Sequence, residues 1–278
     1  MFDFILPHNE KNIDQLKDDE IRQILVAIKR MLPRWMNSLP DSEYHGIIDL
    51  LIKNNSGKLH MVETGIGAST IALIHFAMIT DGVLYSWDVN STKASYLKTV
   101  IVDTLEKIHK KPVSSHWHFV YSSSLHEYTG LTMANEMIKK VDFSFHDSDH
   151  TWKTIAGEIE AIKELYTDNS IVCVDDANQH FINFYEPIIN MVRNKAKLSK
   201  LSNIDNNIGE PHYKKLRPLL LKYFNNVEEV ETSFLSRIQN DPYYSYYEAD
   251  RSGMSSVGME LLDDLKGRFV ALRLRGKK

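Results

Sequence analysis

Two polar segments supply side chains that could bind a metal ion or move a proton. Residues 147–150 (Asp-Ser-Asp-His) follow one apolar run, and residues 175–176 (Asp-Asp) follow another. Carboxylate oxygens are hard ligands of the kind that Mg²⁺ or a similar divalent cation prefers. Histidine titrates near neutral pH and is the usual general base. These residue types therefore fit metal-assisted or acid–base chemistry, with helix capping and loop solvation as the simpler alternative.

A glycine-rich turn at residues 63–70 has the features of a nucleoside site. It lies between an apolar run and a helical segment, where glycines let a ligand approach the backbone and the helix supplies N–H donors. Asp88, about twenty residues on, ends the next apolar run and could accept hydrogen bonds from ribose. Thr70 replaces the third glycine of the dinucleotide pattern, and Glu63 disfavours an anionic pyrophosphate. A cationic sulfonium with a free amino group fits better, and a plain tight turn is the alternative.

Apolar runs and helical periodicity alternate over much of the chain. Residues 12–32 predict an amphipathic helix, and a second helical segment is expected before Asn54. From residue 59 onward, five predicted strands alternate with helices, one of them near 125–139. This order predicts a parallel sheet covered on both faces.

Composition places the chain among ordinary globular proteins. It has 278 residues, 43% of them hydrophobic, and a formal net charge of −4. The near-neutral charge argues against a nucleic-acid partner, and the short apolar runs argue against a membrane span. The lone Cys173 and the lack of a secretory-type N-terminus make the cytoplasm the expected location. Cys173 itself is expected to fill the core.

After residue 176 the regular alternation weakens. Eight cationic residues against two acidic ones lie between 193 and 222, which suggests an insertion with a solvated basic face or a cover for an anionic substrate. Further strands are predicted at 228–234 and 267–274. We therefore expect an N-terminal helical extension over 1–56, a main domain over 57–278, and lid insertions at about 193–228 and 239–262. Four tyrosines between 243 and 247 could line an acceptor pocket or pack a loop.

The turn and the strand–helix order resemble those of the class I S-adenosylmethionine-dependent methyltransferases over roughly residues 57–178. The resemblance implies an α/β, Rossmann-like fold with a seven-stranded sheet that is parallel except for its final strand. It also implies that the glycine turn holds the methionine portion of the cofactor, that Asp88 binds the ribose and that Ser123 lies near the adenine. The residues assigned to the cofactor are Glu63, Thr64, Gly65, Gly67, Ser69, Thr70, Asp88, Ser123 and Asp147.

The D-x-x-H motif followed by D-D is similar to that of metal-dependent O-methyltransferases acting on antibiotic sugars. In the implied sheet order strands four and five are neighbours, so their carboxyl ends lie about 5 Å apart. The resemblance assigns Asp147, Asp175 and Asp176 as metal ligands and His150 as the general base. Asp149 is the rival base, and His146 is expected to be a packed histidine.

The predicted function is a metal-assisted, S-adenosylmethionine-dependent O-methyltransferase. Its acceptor would be a sugar or another small polar metabolite, which could be anionic, and a homo-oligomer is compatible with the sequence. A metal-independent enzyme acting on nitrogen, phosphoramidate or carboxylate remains an alternative. So do a nicotinamide-dependent oxidoreductase and a non-catalytic nucleoside-binding protein, because one fold hosts many functions.

Overall fold

The computed structural model describes part of the chain in detail. The described residues are 18–33, 35–37, 39, 41–54, 57–175, 177, 212–230 and 270–278. Asp176, the tyrosines at 243–247 and the predicted lid at 239–262 lie outside them. Across the described ranges, none of the helices combines the length and the apolar character that crossing a bilayer requires.

The regular elements follow the predicted alternation. The strands are β1 (His60–Thr64), β2 (Val83–Asp88), β3 (Trp117–Tyr121), β4 (Val141–His146), β5 (Tyr166–Val174), β6 (Phe224–Glu229) and β7 (Val270–Lys277). The helices are α1 (Asp18–Met31), α2 (Asp41–Asn54), α3 (Ala68–Ile79), α4 (Ser91–His109), α5 (Ala134–Met137), α6 (Trp152–Ile162) and α7 (His212–Leu220). The predicted βαβ units are thereby confirmed.

The seven strands form one sheet in the order β3-β2-β1-β4-β5-β7-β6. The five strands from β1 to β5 are parallel to one another, and β7 pairs antiparallel with both β5 and β6. This confirms the predicted Rossmann-like fold with one reversed strand. The order reverses at β1 and β4, where the carboxyl ends of parallel strands open a crevice for ligands.

Two hydrophobic cores cover the two faces of the sheet. One joins α1, α2, α3 and α4 to the side of β1 that carries Met61, and the other joins α6, α7 and β6 to the side that carries Val62. Helix α3 is buried from Ala68 to Met78 because it lies between the sheet and the N-terminal helices. Its nearly continuous apolar sequence follows from that position.

Two predicted elements differ from the structure. The helix predicted near 125–139 is a loop followed by a short 3₁₀ turn and the four-residue α5. A tight turn at Gly130 prevents a continuous helix there, because a Cβ on Gly130 would lie 2.5 Å from the carbonyl oxygens of Ser124 and His126. Strand β6 begins at Phe224 rather than at residue 228, so the end of the predicted 193–228 insertion is a helix and a strand of the sheet.

Candidate active site

The glycine turn passes between the ends of three strands. Gly65 has φ = +79°, and its N–H donates to the carbonyl oxygen of Trp87 at the end of β2 over 2.9 Å. A Cβ at Gly65 would lie 1.8 Å from the carbonyl oxygen of Asp147, which follows β4. Glycine is required here both for the left-handed backbone and for the close approach. The turn and the Asp147 segment are consequently in direct contact.

Glu63 supports this turn from beneath. It is fully buried, and its carboxylate accepts hydrogen bonds from the hydroxyls of Ser69, Thr70 and Ser86 at 2.7, 3.0 and 2.8 Å. Burial raises the pKa of Glu63 to about 7, against the effect of the three hydroxyls. The expectation that this carboxylate faces the cofactor differs from the structure, in which it faces α3.

Ser69 and Thr70 are also turned inward, since both hydroxyls bond to Glu63. Thr64 is fully buried on the other face of the sheet. The side chains of Ser69, Thr70 and Thr64 therefore hold the turn in place. The turn exposes its backbone at the carboxyl ends of the strands. Gly67 has an extended backbone, with φ = −175°. A Cβ at this position would lie 3.0 Å from the carbonyl oxygen of Met36, so glycine avoids a crowded contact there.

Asp88 lies where the sequence places it, at the carboxyl end of β2. Its carboxylate accepts hydrogen bonds from the backbone N–H groups of Ile66, at 2.9 Å, and Asn90, at 2.7 Å. Lys93 from α4 contacts both Asp88 Oδ2, at 3.4 Å, and the carbonyl oxygen of Ile66. Lys93 was not identified from the sequence, although its place in the first turn of the helix after Asp88 could have indicated it.

The loop after β3 lies beside Asp88 at the carboxyl ends of the strands. Ser123, which the resemblance assigned to the adenine, is exposed there. Tyr121, which is directly opposite Asp88 in the β2–β3 register, is 67% exposed, and Val89 is 65% exposed. The edge therefore offers apolar surface beside the Asp88 carboxylate.

Asp147, His150 and Asp175 come together at the carboxyl ends of β4 and β5. His146 pairs with Val174 in the β4–β5 register, and the N–H of Asp175 donates to the His146 carbonyl oxygen, so the following residues are neighbours. Each of the three side chains offers a ligand atom, and these atoms lie within 4.8 Å of one another. The sequence predicted three aspartate ligands, Asp147, Asp175 and Asp176, with His150 beside them as a base, and Asp176 lies outside the described residues.

The position of His150 is fixed by its backbone and by α7. It has φ = +57°, and its carbonyl oxygen lies 2.7 Å from Nε2 of His212 at the start of α7. Its own Nε2 lies 3.5 Å from Asp147 Oδ1. Its side chain is 39% exposed, against 14% for Asp147. His150 is thus the more accessible of these two groups for proton transfer.

Asp149 is turned away from this cluster. Its carboxylate accepts hydrogen bonds from the Thr151 N–H at 2.9 Å and the Thr154 hydroxyl at 2.8 Å, at the beginning of α6. Partial burial raises the pKa of Asp149, but these hydrogen bonds outweigh it, so the pKa lies below its usual value. The geometry of Asp149 therefore fits a role in stabilising the start of α6 better than the role of the rival base.

A buried polar network lies beneath the cluster. Glu158 of α6 accepts a hydrogen bond from the Thr64 hydroxyl at 2.8 Å, and its Oε2 lies 2.9 Å from His146 Nδ1. Burial raises the pKa of Glu158, but the contact with His146 and further hydrogen-bonding groups together outweigh it, so the pKa lies below its usual value. His146 Nε2 continues to the hydroxyls of Ser144 and Tyr166. His146 is packed as expected, but Glu158 was not identified from the sequence.

Comparisons with known proteins cover this part of the molecule. Residues 62–177 match a family model described as a methyltransferase domain. The chain is similar to the structure of cofactor-bound Rv0187 from MTB, with 14% identity, 94% of this chain and 93% of that chain covered, and a TM-score of 0.50. At this identity the likeness supports the fold alone.

Two further solved structures are similar at lower TM-scores. The O-methyltransferase from Bacillus cereus in complex with SAH is 12% identical, with 99% of this chain and 100% of that chain covered and a TM-score of 0.46. The SAM-dependent methyltransferase from Geobacter sulfurreducens in complex with S-adenosyl-L-homocysteine is 11% identical, with 90% and 98% covered and a TM-score of 0.46. No curated protein matches the chain.

Proposed function

We propose that this chain, whose residues 62–177 match a methyltransferase domain, is a class I, S-adenosylmethionine-dependent enzyme that methylates a hydroxyl oxygen of a small polar acceptor, such as a sugar, with the help of a divalent cation. The observation that carries the proposal is the group of Asp147, His150 and Asp175, in which the backbone of Asp147 lies against the glycine turn. Donor and acceptor would then meet at one edge of the sheet.

The donor set at this edge fits a divalent cation. Asp147 and Asp175 supply carboxylate oxygens from adjoining strands, and the residue after Asp175 is another aspartate. Two like charges held within 4.8 Å repel each other unless a cation or a proton lies between them. Mg²⁺ or Mn²⁺ is favoured because carboxylates dominate the set. A cation held by Asp147 and Asp175 would supply positive charge that stabilises an ionised acceptor oxygen.

The protein's own residues have separate parts in this proposal. Asp88 accepts hydrogen bonds from the ribose, using the carboxylate lone pairs that do not bond to the N–H groups of Ile66 and Asn90. The glycine turn lets S-adenosylmethionine approach the backbone closely. His150 takes the proton from the acceptor hydroxyl at Nε2, since a neutral hydroxyl is a poor nucleophile toward a sulfonium. The bond from sulfur to the methyl carbon breaks as the oxygen–carbon bond forms, which leaves S-adenosylhomocysteine.

Binding measurements test the two parts of the site separately. Calorimetry with S-adenosylhomocysteine tests the nucleoside pocket, and electron paramagnetic resonance with Mn²⁺ alone tests the cluster. We expect Asp147→Asn and Asp175→Asn to weaken Mn²⁺ binding more than tenfold, while Asp103→Asn, an exposed aspartate on α4, has no effect. Equal Mn²⁺ binding by all four proteins would overturn the metal proposal.

His150→Ala separates a base from a ligand. As a base, His150 can be removed with Mn²⁺ affinity unchanged while methyl transfer falls about 10²-fold or more. A matching loss of Mn²⁺ affinity would instead make His150 a third ligand and overturn its assignment as the base.

Methyl transfer to a panel of hydroxyl acceptors tests the reaction itself. With labelled S-adenosylmethionine we expect transfer in Mg²⁺ and a loss of at least tenfold in excess chelator. Full transfer in chelator would favour the metal-independent alternative. Transfer only to amine or carboxylate acceptors would exclude the O-methyltransferase assignment.

A further inference from the structure

A cavity lies at the amino ends of the parallel strands, opposite the carboxyl ends that carry the glycine turn. It has a volume of about 890 Å³ and is formed where parallel strands begin. His60 and Val83 start β1 and β2, His116 precedes β3, and Lys140 precedes β4. Asp88 and Asp147 lie at the other ends of β2 and β4, and Asp175 follows the carboxyl end of β5. The cavity is therefore separate from the candidate active site.

The lining of this cavity is strongly basic, although the whole chain carries a net charge of −4. Its four lysines are Lys58, Lys111, Lys139 and Lys140. Lys111 bonds to Asp81 at 3.2 Å, and Lys140 bonds to Asp142 at 2.8 Å. Among the described residues, neither Lys58 nor Lys139 forms an ion pair with a carboxylate. Two cationic side chains are consequently available to an anionic ligand.

The charges around the cavity act on one another. The hydrogen bond and charge of Lys111 lower the pKa of Asp81, and the charges of Lys58 and His116 lower it further. The side chains of Lys58, Lys111 and His116 thus lie close enough to act electrostatically on this one carboxylate. An anion entering the cavity would meet the same groups.

One part of the cavity lining is a pair of rings beside an apolar side chain. The rings of Tyr85 and His118 lie 4.9 Å apart between centroids, with 33° between their planes, and Ile138 completes this side. His116 is 7% exposed, and its Nδ1 lies 2.8 Å from the Gly82 carbonyl oxygen, so its ring orientation is fixed. A wall of this kind suits a planar ring more than a bare inorganic ion.

We propose that this cavity binds a phosphate-bearing small molecule with a planar ring, of the nucleoside diphosphate class. The lysines at the rim contact the phosphates, which lysine binds as a compact point charge. The Tyr85–His118 wall contacts the ring. The volume lies within the range of about 300–1,000 Å³ that is typical of small-molecule sites.

Calorimetry with ADP, in saturating S-adenosylhomocysteine to fill the nucleoside pocket at the other edge, tests this site. We expect one ADP per chain and at least tenfold weaker binding of adenosine. Lys58→Glu with Lys139→Glu should weaken ADP binding at least tenfold. The control Lys214→Glu, at an exposed position of α7, changes the charge in the same direction and should change the affinity less than twofold.

Three results would overturn the proposal: no ADP binding under these conditions, equal binding of adenosine, or unchanged ADP affinity in the double variant. Should the double variant fail to fold, Lys58→Gln and Lys139→Gln take its place. Hydrogen exchange of the unmodified protein gives an independent measurement. ADP should slow exchange at residues 111–118, and slowing only at the carboxyl ends of the strands would place ADP in the other pocket.

Discussion

Oε2 of Glu158 lies 2.9 Å from Nδ1 of His146, and the same oxygen accepts the hydroxyl hydrogen bond of Thr64. One buried carboxylate of α6 therefore joins the last residues of β1 and β4. Gly65 follows Thr64, and Asp147 follows His146. The contacts of Glu158 therefore hold the glycine turn and the acidic cluster at a fixed separation. Glu158 is in this sense a positioning residue rather than a catalytic one.

Replacing Glu158 should cost stability out of proportion to the size of the change. Glu158→Ala leaves two buried polar groups without this partner, and we expect a loss of about 3–5 kcal/mol in the free energy of unfolding. Glu164→Ala, at a 73% exposed side chain in the same segment, should cost less than about 0.5 kcal/mol. Urea unfolding measures both, and a loss below 1 kcal/mol for Glu158→Ala would contradict the network.

Glu63 should make the stability depend on pH. Its pKa rises from 4.5 in the unfolded chain to about 7 in the folded protein, so the folded state holds the proton more tightly. This contribution is fully present below pH 4.5 and is lost as the pH rises through about 7, a change of roughly 3 kcal/mol. Glu63→Gln cannot titrate and should lack that part of the slope.

Urea unfolding between pH 4.5 and 7.5 provides the measurement for Glu63. The unfolding free energy of Glu63→Gln, relative to that of the unmodified protein, should increase as the pH rises. Glu164→Gln, which changes an exposed carboxylate, should run parallel to the unmodified protein. Parallel curves for all three proteins would show that the Glu63 pKa is ordinary in the folded state.

The sequence predicted the parts of the site that depend on strand order. Apolar runs identified β1 to β5, and parallel pairing then brought Asp147 and Asp175 together. The directions of Glu63 and Thr64 could not be predicted in the same way. Alternation sends them to opposite faces, but only the tertiary structure shows that α3 meets one and α6 the other.

Polar contacts between residues far apart in the sequence could not be predicted either. Glu158 and Thr64 are 94 positions apart, and no local spacing indicates their hydrogen bond. The helix predicted near 125–139 was wrong for a related reason, because the carbonyl groups around Gly130 come together through a turn that hydrophobic periodicity does not reveal. Periodicity reports which face is buried and leaves open what lies against that face.

Gly65 and Gly57 separate backbone strain from steric overlap. Both have positive φ, but a Cβ at Gly57 meets nothing within 4 Å, whereas one at Gly65 would lie 1.8 Å from the Asp147 carbonyl oxygen. Gly57→Ala should cost about 1–3 kcal/mol from strain alone. Gly65→Ala should cost about 1–3 kcal/mol more and weaken S-adenosylhomocysteine binding at least tenfold. Equal losses would mean that Asp147 moves freely away.

Asp149 and His150 can be distinguished by the kind of damage that their replacement causes. Asp149→Ala removes the acceptor for Thr151 and Thr154 at the start of α6, so we expect a loss of about 0.5–2 kcal/mol in stability and less than a threefold change in kcat. His150→Ala should lower kcat about 10²-fold or more with stability nearly unchanged, and added imidazole should restore part of the rate.

The matched variant Asp149→Asn completes this comparison, because its amide oxygen still accepts the Thr151 N–H. It should be more stable than Asp149→Ala and equally active. A fall in kcat for Asp149→Asn as large as that for His150→Ala, in a protein that unfolds normally, would make Asp149 the base. The hydrogen bonds from Thr151 and Thr154 would then have to open when the acceptor binds, since each oxygen of the Asp149 carboxylate accepts one of them.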